Sequence, residues 1–253
     1  MMSSNIKITG LNNRFNETQL NCFKESKQFQ DWLREFNSNY DNKKYNLQQI
    51  ELTDLDMFGM SVGFSKFTVY IKDKETGVFL PGITVLRGKS IGILVVVKCR
   101  DNIDIPNKIV LTKQFRAAAS KEILEIPAGM LDGSNNPCGK AIDELKEETG
   151  IILKGSDLFN LTKFVGIQDG IYMSQGLLDE KIELFSTELL LTENEIKELE
   201  TRNTGVLEQG EIIKLVTMNL HEAYNIPDAK LLSALLLYQQ YLLEKERFYD
   251  ITM

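Results

Sequence analysis

One stretch constrains this chain more than any other: GMLDGSNNPCGKAIDELKEETGI, Gly129 to Ile151. Glu144, Glu147 and Glu148 stand at i, i+3 and i+4, the spacing that stacks side chains on one helical face. Three like charges that close repel each other, and a divalent cation with a preference for oxygen ligands is one physical reason for them to persist together. The helix borders are legible locally. Asn136 suits the N-cap, Pro137 the first helical position, and Gly150 the left-handed residue that ends a helix. The preceding Glu122 to Pro127 reads as a short strand. Strand, glycine-containing loop and acidic helix make a unit in which a cation fits between helix face and loop backbone. Taken alone, the ELKEE run is also what a solvated helix face looks like.

Composition narrows the classes of function. The 253 residues, 43% hydrophobic and 26% charged, suffice for one large or two modest cores. A net charge of −7 argues against a protein that coats nucleic acid. No apolar run approaches the roughly 18 residues of a membrane span, and the N-terminus lacks a secretory pattern. Cys22, Cys99 and Cys138 have no metal-binding spacing, so a reducing, cytoplasmic setting is expected. The single histidine, His221, lies in a polar stretch without a nucleophile motif, which disfavours Ser-His-Asp or Cys-His chemistry and leaves proton transfer to carboxylates.

Along the chain, residues 1–15 read as a flexible polar tail. From Asn16 to about Phe36 the apolar residues Leu20, Phe23, Phe29, Trp32, Leu33 and Phe36 recur mostly at helical spacing, with Asn16 as a candidate cap. Strand-like runs follow at Phe64 to Ile71 and Val78 to Leu86, around a turn at Lys74 to Gly77. Ser90 to Lys98 and Lys108 to Phe115 read as buried strands. Beyond the acidic helix, strands are expected near Leu161 to Ile167, Lys181 to Leu189 and Ile212 to Thr217, then a leucine-rich helix from Asp228 to Arg247. The expected organisation is a tail over 1–15, a helix and small β domain over 16–88, and a catalytic domain over 89–253.

The Gly129–Ile151 segment resembles the box of the Nudix hydrolases: Gly, five residues, Glu, seven residues, Arg-Glu, an aliphatic, any residue, Glu-Glu, any residue, Gly, an aliphatic. Gly129, Glu144, Leu145, Glu147, Glu148, Gly150 and Ile151 fall on that pattern with its spacing intact. Asn135 stands at the first box glutamate and Asp143 at the box arginine. That arginine normally orients the glutamates, so Lys140 or Lys146 is expected to compensate in part. The resemblance implies an α+β chain: a Nudix α/β/α sandwich around a mixed sheet, plus an N-terminal antiparallel β domain preceded by a helix.

Flanking motifs point to the nucleoside-diphosphate-sugar branch. LTKQFRAAASKEILEIPAG, Leu111 to Gly129, resembles its Gln-aromatic-Arg strand and Glu-aliphatic-Pro-Ala-Gly turn. YMSQGLLDEKIELF, Tyr172 to Phe185, resembles its Ser-Pro-Gly loop, with Gln175 in place of proline. Asp56 to Phe67 and Leu80 to Gly88 are similar to plant-type ADP-sugar diphosphatases, and the likeness extends over about residues 50 to 245. It implies magnesium, with manganese as a substitute, held by Glu144, Glu147, Glu148 and the carbonyl of Ala128. It also implies substrate contact at Arg116 and Glu125, and catalysis by Glu147, Glu148 and a loop base. Glu180 is the candidate base, with Asp179 and Glu183 behind it. A homodimer is expected, with neither nucleic acid nor membrane as partner. Cleavage of ADP-ribose or ADP-glucose to AMP and a sugar phosphate is the leading function. A UDP-sugar diphosphatase and a nucleotide-sugar binder weakened at Asp143 and Asn135 stand as alternatives.

Overall fold

The computed structural model describes residues 6–40, 43–80, 82–131, 134, 136–204 and 212–252. Two compact units emerge: the chain up to Gly88 together with Ser174–Glu180, and Lys89–Met173 together with the chain from Lys181 onward.

In the first unit, β1 (Lys7–Gly10) is followed by α1 (Glu17–Glu25) and α2 (Lys27–Tyr40). The segment 7–10, within the stretch expected to be a tail, pairs in parallel with β2 (Tyr45–Phe58). Asn16 caps α1 in a reciprocal capping box with Gln19. The single helix expected over 16–36 is two, because Ser26 turns to extended backbone at φ −60°, ψ 140°. Phe23 and Phe29 flank the break, and both are fully buried with their ring centroids 4.3 Å apart. The bend falls inside the six-residue step from Phe23 to Phe29, the one interval in this stretch that departs from the helical rhythm.

A hairpin joins β2 to β3 (Ser61–Asp73), against which β4 (Phe79–Leu80) and β5 (Ile83–Leu86) also pair antiparallel. The turn after β3 is fixed by Asp73, whose Oδ1 accepts from the amides of Glu75 and Thr76 at 2.9 Å, and by Gly77 at φ +72°. Phe23, Phe29, Ile50, Leu52 and Phe67 form this unit's core.

The second unit is built on β6 (Lys89–Cys99), β7 (Lys108–Arg116), β8 (Lys121–Glu125), β9 (Ala128–Met130), α3 (Pro137–Thr149), β10 (Phe159–Asn160), α4 (Leu161–Phe164), β11 (Ile171–Tyr172), β12 (Lys181–Leu191), α5 (Glu193–Glu200), β13 (Asn203–Thr204), β14 (Ile213–Asn219) and α6 (Ala229–Thr252). Its sheet runs β10-β12-β6-β7-β14-β13, with β11 on β12, β8 on β7 and β9 on β6. The β6–β12 pair is parallel and its neighbours antiparallel, so the sheet is mixed.

Alternation along β6 explains the layers. Ile91, Ile93, Val95 and Val97 enter a core with Leu145 of α3 and Leu199 of α5, while Leu94 and Val96 enter another with Leu231 and Leu235 of α6. Buried on both faces, β6 has to be apolar throughout its middle, which is why SIGILVVV reads as a continuous run. Residues 161–164, expected to begin a strand, instead form α4. Asn160 caps it by accepting from the amide of Lys163 at 2.8 Å, and Gly166 leaves it at φ +86°.

Candidate active site

The acidic helix α3 starts where the sequence places it: Asn136 Oδ1 accepts from the amide of Gly139 at 3.0 Å, and Pro137 is the first helical residue. Gly150 ends it at φ +69°. Leu145 and Ala141 are fully buried and fix the helix against the sheet. Its C-terminal turn is fastened from two sides. Thr149 Oγ1 donates to the Leu145 carbonyl, and Thr204 of β13 donates to the carbonyl of Glu148.

That docking gives the three box glutamates different surroundings. Glu148 is buried, Glu144 half-buried and Glu147 exposed. Glu148 Oε2 accepts the amide of Ala128 at 3.0 Å. Burial drives its pKa up to about 8, the Ala128 amide opposes the shift, and the charges of Glu144 and Glu125 add to it. The Glu144 carboxylate is paired with Lys140 at 2.9 Å, one turn earlier. Lys140 is one of the two lysines expected to compensate for Asp143. Asp143 itself is exposed, and Asn135 lies outside the described residues.

Gly129 makes room for this arrangement. It sits in β9 opposite Ile91, and a Cβ built there would overlap the Glu144 carboxyl carbon and both its oxygens. The first residue of the box thus acts on a glutamate fifteen positions later: the carboxylate occupies the space of a missing side chain.

The β7–β8 hairpin brings in the second group. Its register pairs Thr112 with Glu125 and Arg116 with Lys121, so Thr112, Gln114, Arg116 and Glu125 share one face of the ladder. Arg116 Nε donates to Glu125 Oε1 at 2.6 Å, and the arginine side chain is 43% exposed. Glu125 is buried, and its other oxygen accepts from Lys230 Nζ at 2.8 Å. Burial opposes ionisation of Glu125, but Arg116 and Lys230 outweigh it and hold the group below the ordinary carboxylate range. Arg116 and Glu125 both act electrostatically on Glu148. The expected substrate residues and the buried box glutamate therefore form one charged neighbourhood.

Lys230 was not among the residues expected from the sequence. It stands in the first turn of α6, 105 positions from Glu125, and no local pattern marks it. Asp228, just before the helix, is legible as a cap in retrospect. Its oxygens accept from the amides of Lys230 and Leu231 at 3.2 and 3.3 Å, and Oδ1 also takes Lys230 Nζ at 2.9 Å.

The remaining candidates divide between the units. Asp179 and Glu180 belong to the first. Asp179 Oδ1 accepts from the amides of Arg87 and Gly88 at 2.7 and 3.0 Å, while burial raises its pKa. Glu180 forms an ion pair with Arg87 Nε at 3.2 Å. Glu183 belongs to the second unit, where it accepts from Asn160 Nδ2 at 3.0 Å and pairs with Lys163 at 3.4 Å. His221 is exposed, and Cys22, Cys99 and Cys138 are free thiols. Among the described residues, no three His, Cys, Asp or Glu side chains converge as a ready-made metal cage. No helix among them is long and apolar enough to cross a membrane.

Comparison with known proteins places this chain in a family. The chain is 36% identical over 222 residues to Nudix hydrolase 14, chloroplastic, of Arabidopsis thaliana, covering 85% of this chain and 71% of that protein. It is 35% identical over 123 residues to an ADP-ribose pyrophosphatase of Bacillus subtilis, covering 49% of this chain and 57% of the relative. A crystal structure of an ADP compounds hydrolase superposes with a TM-score of 0.52 at 19% identity, covering 80% of this chain and 98% of that one, which is a likeness of fold. No family model matches the chain. With the box in register on α3 and a relative this similar over most of both lengths, the chain belongs to the Nudix hydrolases.

Proposed function

We propose that this chain hydrolyses the pyrophosphate of ADP-sugars, ADP-ribose or ADP-glucose, to AMP and a sugar phosphate, in a reaction that depends on magnesium. The observation that carries the reading is the charged neighbourhood of Glu144, Glu148, Glu125 and Arg116, which sets carboxylates beside a guanidinium. The relatives named ADP-ribose pyrophosphatase support the substrate class.

The donor set suits a hard divalent cation. Glu144, Glu147, Glu148 and the carbonyl of Ala128 offer only oxygen, which favours magnesium or manganese over metals that prefer nitrogen or sulfur. Glu148 supports the same reading, because a carboxylate resisting ionisation through burial would be stabilised in its charged form by a nearby cation. A bound divalent cation supplies neutralisation of phosphate charge and acidification of water.

The chain's own residues supply the rest. Gly129 leaves Glu144 its place, and Lys140 holds that carboxylate. Arg116 presents a planar fork suited to a phosphate oxygen pair. Glu125 fixes the Nε edge of that fork. Glu180, which directly precedes β12, is the proposed acceptor of the proton from the attacking water, with Glu147 and Glu148 in the catalytic set. As water attacks one phosphorus, the bond from that phosphorus to the bridging oxygen breaks, and AMP and the sugar phosphate separate. The reading extends to a cytoplasmic homodimer.

Relative rates on ADP-ribose, ADP-glucose and UDP-glucose with magnesium test the reading. Release of AMP from the ADP-sugars at least about tenfold faster than UMP from UDP-glucose supports it, a margin that base-specific hydrogen bonding supplies. Faster turnover of the UDP-sugar overturns the assignment of the base.

A further inference from the structure

Four side chains form a continuous chain of charge from the start of α6 to Arg116. Asp228 takes Lys230 Nζ at 2.9 Å, Lys230 reaches Glu125 Oε2 at 2.8 Å, and Glu125 Oε1 takes Arg116 Nε at 2.6 Å. Three of the four are enclosed: Asp228 is 7% exposed, Glu125 3%, and the Lys230 side chain 19%. Both Glu125 oxygens are engaged by cations from different elements, so its plane is fixed from two directions. A carboxylate held by one cation keeps a rotational freedom that this one has lost. The far end of the chain is anchored too, since Asp228 also accepts two amides of α6, and Leu231, Ala234 and Leu235 bury that helix in the core.

We infer that Lys230 is a positioning residue for substrate binding: through Glu125 it holds the guanidinium of Arg116 in the orientation that receives the substrate's phosphate. The inference rests on the proposed contact of Arg116 with substrate. A purely structural role, in which Lys230 only neutralises a buried carboxylate, makes a different prediction. Neutralisation acts on the stability of the fold whatever occupies position 116, whereas positioning is expressed only while the arginine is present.

The test is a double-mutant cycle on the full chain, with ADP-ribose titrated calorimetrically in chelator so that binding is read without turnover. Arg116→Ala is expected to weaken binding about tenfold, and Lys230→Met to do the same, as small misplacements of an orienting group do. In the Arg116→Ala background, Lys230→Met should add less than about twofold, because the residue it acts through is gone. Lys230→Arg should bind within about threefold of the unaltered chain, since it keeps the charge and a donor for Glu125.

Equal weakening by Lys230→Met in both backgrounds overturns the inference, as does unchanged binding in a folded Lys230→Met variant. Unchanged binding in Arg116→Ala overturns the substrate role of Arg116 itself, and the inference with it. Should Lys230→Met fail to fold, Asp228→Asn takes its place in the cycle. Asparagine keeps one of the two capping acceptors and removes the charge that steadies Lys230. The same non-additive pattern is expected, and additivity overturns the inference.

Discussion

The carboxylate of Glu144 occupies the space that a side chain on Gly129 would fill. Gly129→Ala should therefore displace Glu144 without unfolding the chain, since β9 is short and the displaced group is the end of a flexible side chain. We expect the magnesium concentration for half-maximal activity to rise about tenfold or more, the scale on which disturbed ligand support acts. A magnesium titration of hydrolysis checks it.

Glu148 makes stability depend on pH in a window of its own. Its native pKa of about 8 lies above the ordinary carboxylate value of 4.5. Between those values the unfolded chain has lost its proton while the native state still holds one. The contribution is complete below about pH 4.5 and is lost as pH rises toward about 8. Glu125, shifted downward, acts only below the ordinary value, so the windows do not overlap. In chelator, thermal unfolding of the unaltered chain should fall relative to Glu148→Gln across the upper window, and melting curves at several pH values read the difference directly.

The same proton should compete with the cation. If Glu148 binds magnesium as the carboxylate, apparent affinity rises by up to about tenfold per pH unit below pH 8 and levels off above it. Calorimetric magnesium titrations in buffers of different ionisation enthalpy should also show proton release. An affinity independent of pH from 6 to about 8 removes Glu148 from the ligand set.

Leu145 tests the packing of α3 apart from its chemistry. Fully buried between helix and sheet, it should cost about 3 kcal/mol of stability on replacement by alanine, measured by denaturant unfolding.

What the sequence made legible was what local chemistry encodes. Asn136, Pro137 and Gly150 bound α3 because caps depend on a few adjacent residues, whereas Gly129 and Glu144 were legible only as positions of the box, and their close approach belongs to the fold. The unbroken apolar run of β6 announced a strand buried on both faces. Two elements misled because their local signals compete. Helical apolar spacing runs on both sides of the bend at Ser26, with only the six-residue step from Phe23 to Phe29 to mark it, and residues 161–167 are apolar enough for a strand although Asn160 caps a short helix. Lys230 was invisible for another reason. Its partners, Glu125 and through it Arg116, meet it only when α6 docks on the sheet. The exposure of Glu147 against the burial of Glu148, one position apart, is likewise set by docking, which helical spacing alone does not determine.

The proposed reaction is cleavage of an ADP-sugar pyrophosphate at the glutamates of α3. Its most direct test is chromatographic product analysis of ADP-ribose incubated with the purified chain in magnesium, in chelator, and with Glu148→Gln in magnesium. AMP and ribose 5-phosphate should appear in equal amounts in the first case and not at all with chelator, and the variant should lose about a thousandfold in rate, the scale of removing a group that acts on the transition state. Tight binding of ADP-ribose with no AMP under any divalent metal, or undiminished AMP release by Glu148→Gln, would contradict it.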